Sequence, residues 1–282
     1  MNNELLAGTG CNSKRMKHMT TDQAKTHTEN ALLELSETLS AGRSERLISY
    51  LRCMGQFYHY SFRNLLLISS QLPNATQIAG FHAWRKLNRS VRKGEKGIAI
   101  LAPLACKKRK DDGCEKDSDE PAALFGFRVV HVFDISQTDG PELSRLATAS
   151  GDPGQMLTKL EALIERSGIR LTFDELRPGL EGYSAGGRIA INRELDAANR
   201  FSVMAHELAH EWLDHRTQET SITIKETEAE AVAFVVCSAH GIECHQSSTD
   251  YIQLYRGDSA TLMTSLNVIQ AVAVRILNGL SA

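Results

Sequence analysis

Apolar residues in the first third of the chain recur at the three- and four-residue spacing of amphipathic helices. Leu32, Leu35 and Leu39 fall on one face of the first predicted helix, and Gly42 is a stop signal. The same spacing predicts two more helices between residues 44 and 73 and a shorter helix over residues 80–87. This part of the chain is therefore predicted to be mainly helical.

Two strands are predicted after the turn-forming sequence KGEKG at residues 93–97. The segments GIAILAPL and LFGFRVVHVFDI are rich in the β-branched and aromatic residues that strands favour. We therefore expect the N-terminal half to pack its helices on a small antiparallel sheet.

The second half of the chain mixes helical and strand patterns. The segment GYSAGGRIAIN is typical of a hairpin with its turn at residues 185–187. Other elements are predicted as a helix near 155–167, a strand near 169–173, and helices over about 197–215, 225–240 and 260–278. The expected fold class is α+β in two domains, over residues 30–140 and 154–282, preceded by a disordered tail over residues 1–29.

Composition places the chain among globular proteins. Of its 282 residues, 42% are hydrophobic and 23% charged, so a sizeable core can be buried. No apolar stretch reaches the roughly 18 residues of a membrane span, and the N-terminus lacks the apolar core of a signal peptide. The six cysteines are scattered, which favours thiols over a disulfide framework. We therefore expect a cytoplasmic protein with no membrane partner.

The net charge of −2 is unevenly distributed. Residues 31–140 carry a net charge of +4, whereas residues 141–282 carry −7. Residues 81–110 hold 10 basic side chains and a single acidic one, Glu95. A local field of that sign can attract phosphate groups.

The sequence VMAHELAHEWLDH contains the HExxH pattern as His206, Glu207 and His210. Residues four apart lie on one face of a helix, so both imidazoles can reach a single ion. Catalytic zinc takes histidine ligands and keeps a water molecule at an open position, where an adjacent carboxylate can take its proton. His206 and His210 are therefore predicted zinc ligands, and Glu207 is the predicted general base.

A carboxylate-rich helix, KETEAEAVAFVVC, follows. Glu226 and Glu230 share one of its faces, and a carboxylate carried inward with the buried valines needs a partner charge. HELAH followed by ETEAEAVAF resembles the ImmA/IrrE family of cytosolic gluzincin-type peptidases. The resemblance implies that Glu226 is the third metal ligand and that Glu230 supports the site. Because that family usually has asparagine at the position of Glu230, the two roles could also be exchanged.

Aromatic and basic side chains are interleaved over residues 57–104. Single-stranded nucleic acid is held by aromatic faces that stack on bases and by cationic grooves that follow phosphates, with little dependence on sequence. Alternatively, the aromatic residues pack in the core and the basic residues form a solvated face. Composition leaves both interpretations open.

A longer pattern resembles a known family. YSFRNLLLISSQLPNATQIAGFHAWRKLNRSVRKGEKGIAILAP, followed by VFDISQTDG, is similar to the N-terminal single-stranded-DNA-binding domain of the ArdC antirestriction family, whose members also end in a metallopeptidase-like domain with HExxH. The resemblance implies single-stranded DNA as ligand, a mobile element as source, and protection of entering DNA from host restriction. The predicted DNA contacts are Tyr60, Phe62, Asn64, Trp84, Arg85, Lys86, Arg89, Arg92, Lys93 and Lys96.

The predicted function is an antirestriction protein that binds single-stranded DNA and carries a zinc peptidase site, with a host restriction enzyme or another protein as substrate. The C-terminal domain is expected to be a zincin-like minimal metallopeptidase, with Tyr183 as a candidate to stabilise the oxyanion. Manganese or cobalt would also suit histidine and carboxylate ligands. Two alternatives remain: a single-stranded-DNA-binding protein with structural zinc and no hydrolysis, and an ImmA-like peptidase that cleaves a repressor.

Overall fold

A computed structural model describes residues 19–105, 124–141, 152–214, 221–243 and 259–282. The helices in these ranges are α1 (Thr21–Ser40), α2 (Glu45–Gln56), α3 (Phe62–Gln71), α4 (Phe81–Lys86), α5 (Gln155–Arg166), α6 (Ala197–Trp212), α7 (Ile222–Ala239) and α8 (Ser259–Ser281). The strands are β1 (Ile78–Gly80), β2 (Ser90–Val91), β3 (Ile98–Ala105), β4 (Leu124–Asp134), β5 (Thr138–Asp139), β6 (Arg170–Asp174), β7 (Gly182–Ser184) and β8 (Arg188–Asn192). The mixed helix-and-sheet class predicted from the sequence is confirmed.

The sheets are small and lie in separate halves of the chain. In the N-terminal half, β4 lies between β1 and β3 and is antiparallel to both, while β2 pairs with β5. In the C-terminal half, β8 lies between β6, which is parallel to it, and β7, which is antiparallel. The N-terminal antiparallel sheet and the hairpin with its turn at residues 185–187 are thus confirmed.

Helix α1 begins earlier than the sequence interpretation allows. Thr20 caps it, because its hydroxyl accepts from the Gln23 amide while the Gln23 side chain accepts from the Thr20 amide. Ala24 is buried against α3 and β3, which fixes this first turn to the sheet. The prediction of a disordered tail to residue 29 is therefore wrong from residue 21 onward, and residues 1–18 lie outside the described ranges.

The two halves bury their apolar faces in one continuous core. Leu51 of α2 and Val235 of α7 belong to the same buried cluster. Gly55 lets these helices approach closely, because a Cβ atom there would lie 2.6 Å from the Val235 carbonyl oxygen. The Gln270 side chain of α8 donates to the Tyr60 carbonyl at 2.9 Å. The two predicted domains therefore share one core. The boundaries between them remain a prediction.

We expect Gly55→Ala to destabilise the whole chain by about 1–3 kcal/mol, since the added methyl group would meet backbone atoms of α7 that cannot rotate away. Urea unfolding followed by circular dichroism and by tryptophan fluorescence measures this. Gly80→Ala is the matched control, because no atom lies within 4 Å of the Cβ position there. A wild-type stability for Gly55→Ala, or two separate transitions in the wild type, would contradict the shared core.

Helix α8 is long and apolar enough to cross a membrane, by length and composition alone, over Ala260–Ser281. The sequence interpretation did not expect such a stretch. In the structure, 44% of its most apolar window is buried, and α8 packs against α5 and α7. Packing against α5 and α7 in the protein core therefore explains the apolar character of this helix.

Candidate metal centre and basic face

Helix α6 carries both histidines of the HExxH pattern. The Asp196 side chain caps the helix by accepting from the Asn199 amide at 2.8 Å, and Phe201 among other apolar residues buries its inner face. His206 and His210 are one turn apart, and their Nε2 atoms lie 3.0 Å from each other. Two imidazoles are thereby aimed at one point.

Helix α7 brings a carboxylate to the same point. Its Ser221 hydroxyl caps the helix, and the buried residues that follow pack it against α6. The Glu226 Oε2 atom lies 3.4 Å from Nε2 of His206 and 3.5 Å from Nε2 of His210. In a tetrahedral site with bonds of about 2.0–2.1 Å, ligand atoms are about 3.3–3.4 Å apart. The three donor atoms therefore fit a single divalent cation.

The charges at this point are strongly coupled. Hydrogen bonds from the two imidazoles lower the pKa of Glu226 well below its ordinary value. Burial alone would lower the pKa of His206, but the nearby carboxylates of Glu226, Glu207 and Glu230 outweigh burial and raise it. Burial raises the pKa of Glu207 despite the opposing charges of the histidines. Such coupling is typical of groups that face one binding point.

Glu207 lies at the base of a cleft of about 500 Å³ between α6, the start of α7 and strand β7. Its side chain is buried, and Ser184 lines the same cleft, where its hydroxyl acts against burial to lower the pKa of the Glu207 carboxyl. Tyr183 also lines the cleft. The sequence interpretation missed Ser184, although its place beside Tyr183 in the predicted hairpin puts it near the HExxH helix.

The β7–β8 turn is fastened to α6. The Glu211 carboxylate accepts from the amides of Gly186 at 2.8 Å and Gly187 at 2.7 Å. Gly182 allows β7 to approach the helix, because a Cβ there would lie 2.6 Å from the Val203 side chain. These contacts hold β7 along the cleft. Glu211 was also missed, although it follows the second histidine directly in the sequence.

The remaining glutamates of α7 point in different directions. Glu228 is buried and accepts from the Ser265 hydroxyl of α8 at 2.6 Å, away from the histidines. Glu230 is not among the three residues whose donor atoms converge, but its charge acts on His206. The geometry therefore favours Glu226 as ligand and Glu230 as a supporting carboxylate.

We expect Glu226→Gln to weaken zinc binding more than Glu230→Gln. Loss of a direct ligand should cost more than the roughly 10- to 100-fold that accompanies loss of a supporting group. Competition with a fluorescent zinc chelator measures both affinities on the folded proteins. The reverse order, with the larger loss in Glu230→Gln, would exchange the two roles.

Three of the ten predicted DNA contacts lie in the interior. Trp84 is 1% exposed and donates from Nε1 to the Phe133 carbonyl. Asn64 bonds both backbone groups of Leu101. Arg89 is 7% exposed, and its guanidinium donates hydrogen bonds to the hydroxyl and carbonyl oxygens of Thr138 and to the carbonyl oxygen of Gly140. Burial prevents these three side chains from reaching a nucleic acid without unfolding.

Three others are partly engaged with protein groups. Tyr60 and Phe62 are half-buried and pack against the core. Arg92 is exposed, but its guanidinium pairs with Glu95 at 2.8 Å and with Asp139 at 3.6 Å. Their availability to an external ligand is therefore lower than the sequence pattern indicates.

The remaining four, Arg85, Lys86, Lys93 and Lys96, are exposed, and the described residues form no ion pair with them. Phe81, which the sequence interpretation missed, is 44% exposed and lies one helical turn before Arg85. Its signal was its position at the start of α4, one helical turn before Arg85. We call these five residues the basic face.

The two segments of the basic face meet at β4. Trp84 anchors α4 to the Phe133 carbonyl. Gly97, next to Lys96, packs under the Phe133 ring, because a Cβ there would lie 3.0 Å from that ring. Helix α4 and the turn before β3 therefore both contact Phe133, and we expect their exposed cations to form one surface.

Comparison with known proteins gives two family matches and two similar structures. The family described as the N-terminal domain of anti-restriction factor ArdC matches residues 16–133, and the peptidase family described as IrrE N-terminal-like domain matches residues 164–275. The crystal structure of the antirestriction ArdC protein from plasmid R388 is similar in its metal-free form (TM-score 0.55, 16% identity) and in its Mn(II)-bound form (TM-score 0.54, 17% identity). Each comparison covers 90% of this chain and 97% of that protein.

An uncharacterized Bacillus anthracis protein is 26% identical over an alignment 251 residues long, and the alignment covers 74% of this chain. The chain spans only 42% of that relative's length. The two family matches lie in the same order as the two halves of the chain, and the fold over 90% of it is that of the R388 protein. The chain is therefore an ArdC-like protein, with an ArdC N-terminal domain followed by an IrrE N-terminal-like domain.

Proposed function

We propose that the chain is an antirestriction protein of a mobile element that binds single-stranded DNA through its N-terminal half and hydrolyses peptide bonds at the cleft of its C-terminal half. The observation that carries the proposal is the convergence of His206, His210 and Glu226 on one point beside the buried Glu207. The R388 protein that shares this fold is an antirestriction protein, and one of its structures contains Mn(II). The proposed location is the cytoplasm.

The proposed cofactor is zinc, held by His206, His210 and Glu226. Two neutral imidazoles and one carboxylate form a ligand set common in catalytic zinc sites. When bound, such a metal polarises a carbonyl group and lowers the pKa of water. Manganese remains an option because the same donors suit it and because the R388 protein binds it.

In the proposed reaction, Glu207 accepts a proton from a water molecule as its oxygen attacks the carbonyl carbon of a peptide bond. Ser184 lines the cleft beside Glu207, and its hydroxyl would help to orient the carboxylate. Tyr183 would donate to the carbonyl oxygen as negative charge develops there. Glu207 then passes its proton to the amide nitrogen, the C–N bond breaks, and the products are a carboxylate and an amine.

The cleft disfavours a purely structural metal. Structural zinc is usually closed by four protein ligands, whereas among the described residues three converge at the wall of an open cleft. Glu207 is buried but supplies no ligand atom to that group, and the described residues form no ion pair with it that would give it a structural role. Both features support a catalytic arrangement.

For DNA, the basic face supplies exposed cations next to an exposed aromatic ring, which suits stacking and phosphate contacts without base selection. The proposal is tested by two assays on one zinc-loaded preparation: binding of a labelled single-stranded oligonucleotide, and hydrolysis of labelled casein with and without chelator. Both activities are expected. DNA binding without any hydrolysis would favour the non-enzymatic alternative, and loss of DNA binding would remove the antirestriction proposal.

A further inference from the structure

Strand β7 forms one wall of the cleft and lies at the edge of its sheet. Among the described strands it pairs only with β8, over three residues. Tyr183 and Ser184 are two of those three, and both line the cleft together with Glu207 of α6. The position of β7 relative to α6 therefore sets how far these two side chains lie from Glu207.

Helix α6 presents a stripe of residues to β7. Val203, Glu207 and Glu211 are each four positions apart, so they follow one side of the helix over about 12 Å. Gly182 meets the first of them, because a Cβ atom there would lie 2.6 Å from the Val203 side chain. The Gly186 amide meets the last of them at 2.8 Å, through Oε1 of Glu211. Four residues of chain span at most about 14 Å, so the strand and the stripe match in length.

The chain that contains β7 is therefore attached to α6 on both sides of Glu207. At the Gly182 end, the attachment is a close apolar contact with Val203. At the other end, it is a pair of hydrogen bonds to the Glu211 carboxylate, and charged acceptors make such bonds stronger than neutral ones. Without that carboxylate, only the contact at Gly182 and the pairing with β8 would hold this wall of the cleft.

The turn that receives Glu211 suits a carboxylate. Gly186 and Gly187 have φ angles of 61° and 84°, the left-handed region that glycine enters without steric cost. Successive amides in such a turn form a concavity that binds anions. Each oxygen of Glu211 accepts from one of the two amides, at 2.8 and 2.7 Å. Because the turn engages both oxygens, Glu211 influences the cleft through β7.

We propose that Glu211 is a positioning residue of the cleft, whose carboxylate holds the β7–β8 turn so that Tyr183 and Ser184 keep a fixed distance from Glu207. The inference rests on the proposed peptidase function and adds a residue to it. A substrate carbonyl has to lie between Glu207 and the groups of β7, so a loose wall would misplace it. Catalysis depends steeply on such placement.

The test uses one substitution and a matched control. Glu211→Gln keeps the length of the side chain but replaces one accepting oxygen with an NH2 group, which donates. Glu181→Gln is the control, because Glu181 is exposed, directly precedes β7 and lies outside the cleft lining. Deuterium uptake over residues 182–188 is measured by mass spectrometry, zinc affinity with a fluorescent chelator, and kcat/KM with labelled casein.

We expect Glu211→Gln to take up deuterium faster over residues 182–188 and to lose about 10- to 100-fold in kcat/KM, since a misplacement of 1 Å can cost about 100-fold. Its zinc affinity should stay within about twofold of the wild type, because the three proposed ligands lie on α6 and α7 and none lies on β7. Glu181→Gln should match the wild type in all three measurements.

A double substitution separates positioning from a general loss of stability. Once Tyr183→Phe has removed one of the groups that β7 carries, adding Glu211→Gln should cost less than about fivefold in kcat/KM, because contacting or coupled groups are not additive. A general loss of folded protein would instead cost the same factor with tyrosine or phenylalanine at that position.

Unchanged deuterium uptake in Glu211→Gln, or an equal loss of kcat/KM with and without Tyr183→Phe, would overturn the positioning role while leaving the proposed hydrolysis intact. A wild type that cleaves no casein would overturn the proposed peptidase function, and the positioning role with it.

Discussion

Glu207→Gln is expected to remove hydrolysis while leaving the metal content unchanged. Glutamine keeps the shape of the side chain but cannot accept a proton from water at neutral pH, and a positioned general base contributes about 10²- to 10⁴-fold. The three proposed ligands stay in place because Glu207 is not one of the converging donors. Hydrolysis of labelled casein and metal analysis by mass spectrometry on one preparation measure both quantities.

Asp214→Asn is the matched control for this change. Asp214 lines the same cleft, and its backbone has a φ of 52°, a conformation that asparagine tolerates well. The control should hydrolyse casein within about threefold of the wild type, as expected for a carboxylate that takes no part in proton transfer. Hydrolysis by Glu207→Gln at the rate of the control would remove Glu207 from its proposed role as base.

Replacing the four cations of the basic face with alanine should weaken single-stranded DNA binding by about 100-fold or more at low salt. Binding also becomes less dependent on salt when fewer phosphates are neutralised, and the slope of log K against log salt should fall by roughly 3. The four side chains are exposed, so the fold should not change. Fluorescence anisotropy of a labelled oligonucleotide across a salt series measures affinity and slope together.

The control removes the same number of exposed positive charges elsewhere, at Lys25, Arg43, Arg170 and Arg177. Its affinity and slope should stay close to those of the wild type if the basic face is the binding surface. Phe81→Leu separates stacking from charge: it should weaken binding about fivefold without changing the slope. Equal losses in the basic-face variant and in the control would mean that net charge alone drives binding.

The sequence predicted most of the elements because their signals are local. The spacing of apolar residues defined α6 and the HExxH pattern on it, and the glycine pair before Arg188 defined the β7–β8 turn. The start of α1 was missed because its first turns bury only Ala24 and Thr28, so they lack an apolar stripe. Its signal was the capping pair of Thr20 and Gln23.

Features that depend on tertiary contacts were not accessible from one sequence. The sequence pattern predicted that Trp84 and Arg89 belong to a basic, aromatic surface. In the fold, Trp84 donates a hydrogen bond to the Phe133 carbonyl, and Arg89 donates to the carbonyls of Thr138 and Gly140. The packing of α2 on α7 joins residues about 180 positions apart, which no local pattern encodes. For the same reason, the placement of Ser184 and Glu207 in one cleft needed the folded chain.

The central claim, that three side chains from two helices hold one divalent metal beside Glu207, is tested most directly by crystallography with zinc. Crystals of the whole chain are soaked in a zinc salt, and anomalous diffraction is measured on both sides of the zinc absorption edge. One anomalous peak within about 2.0–2.2 Å of Nε2 of His206, Nε2 of His210 and a carboxylate oxygen of Glu226 is the predicted result. A peak elsewhere in the chain, or no peak between the two histidines, would contradict the account.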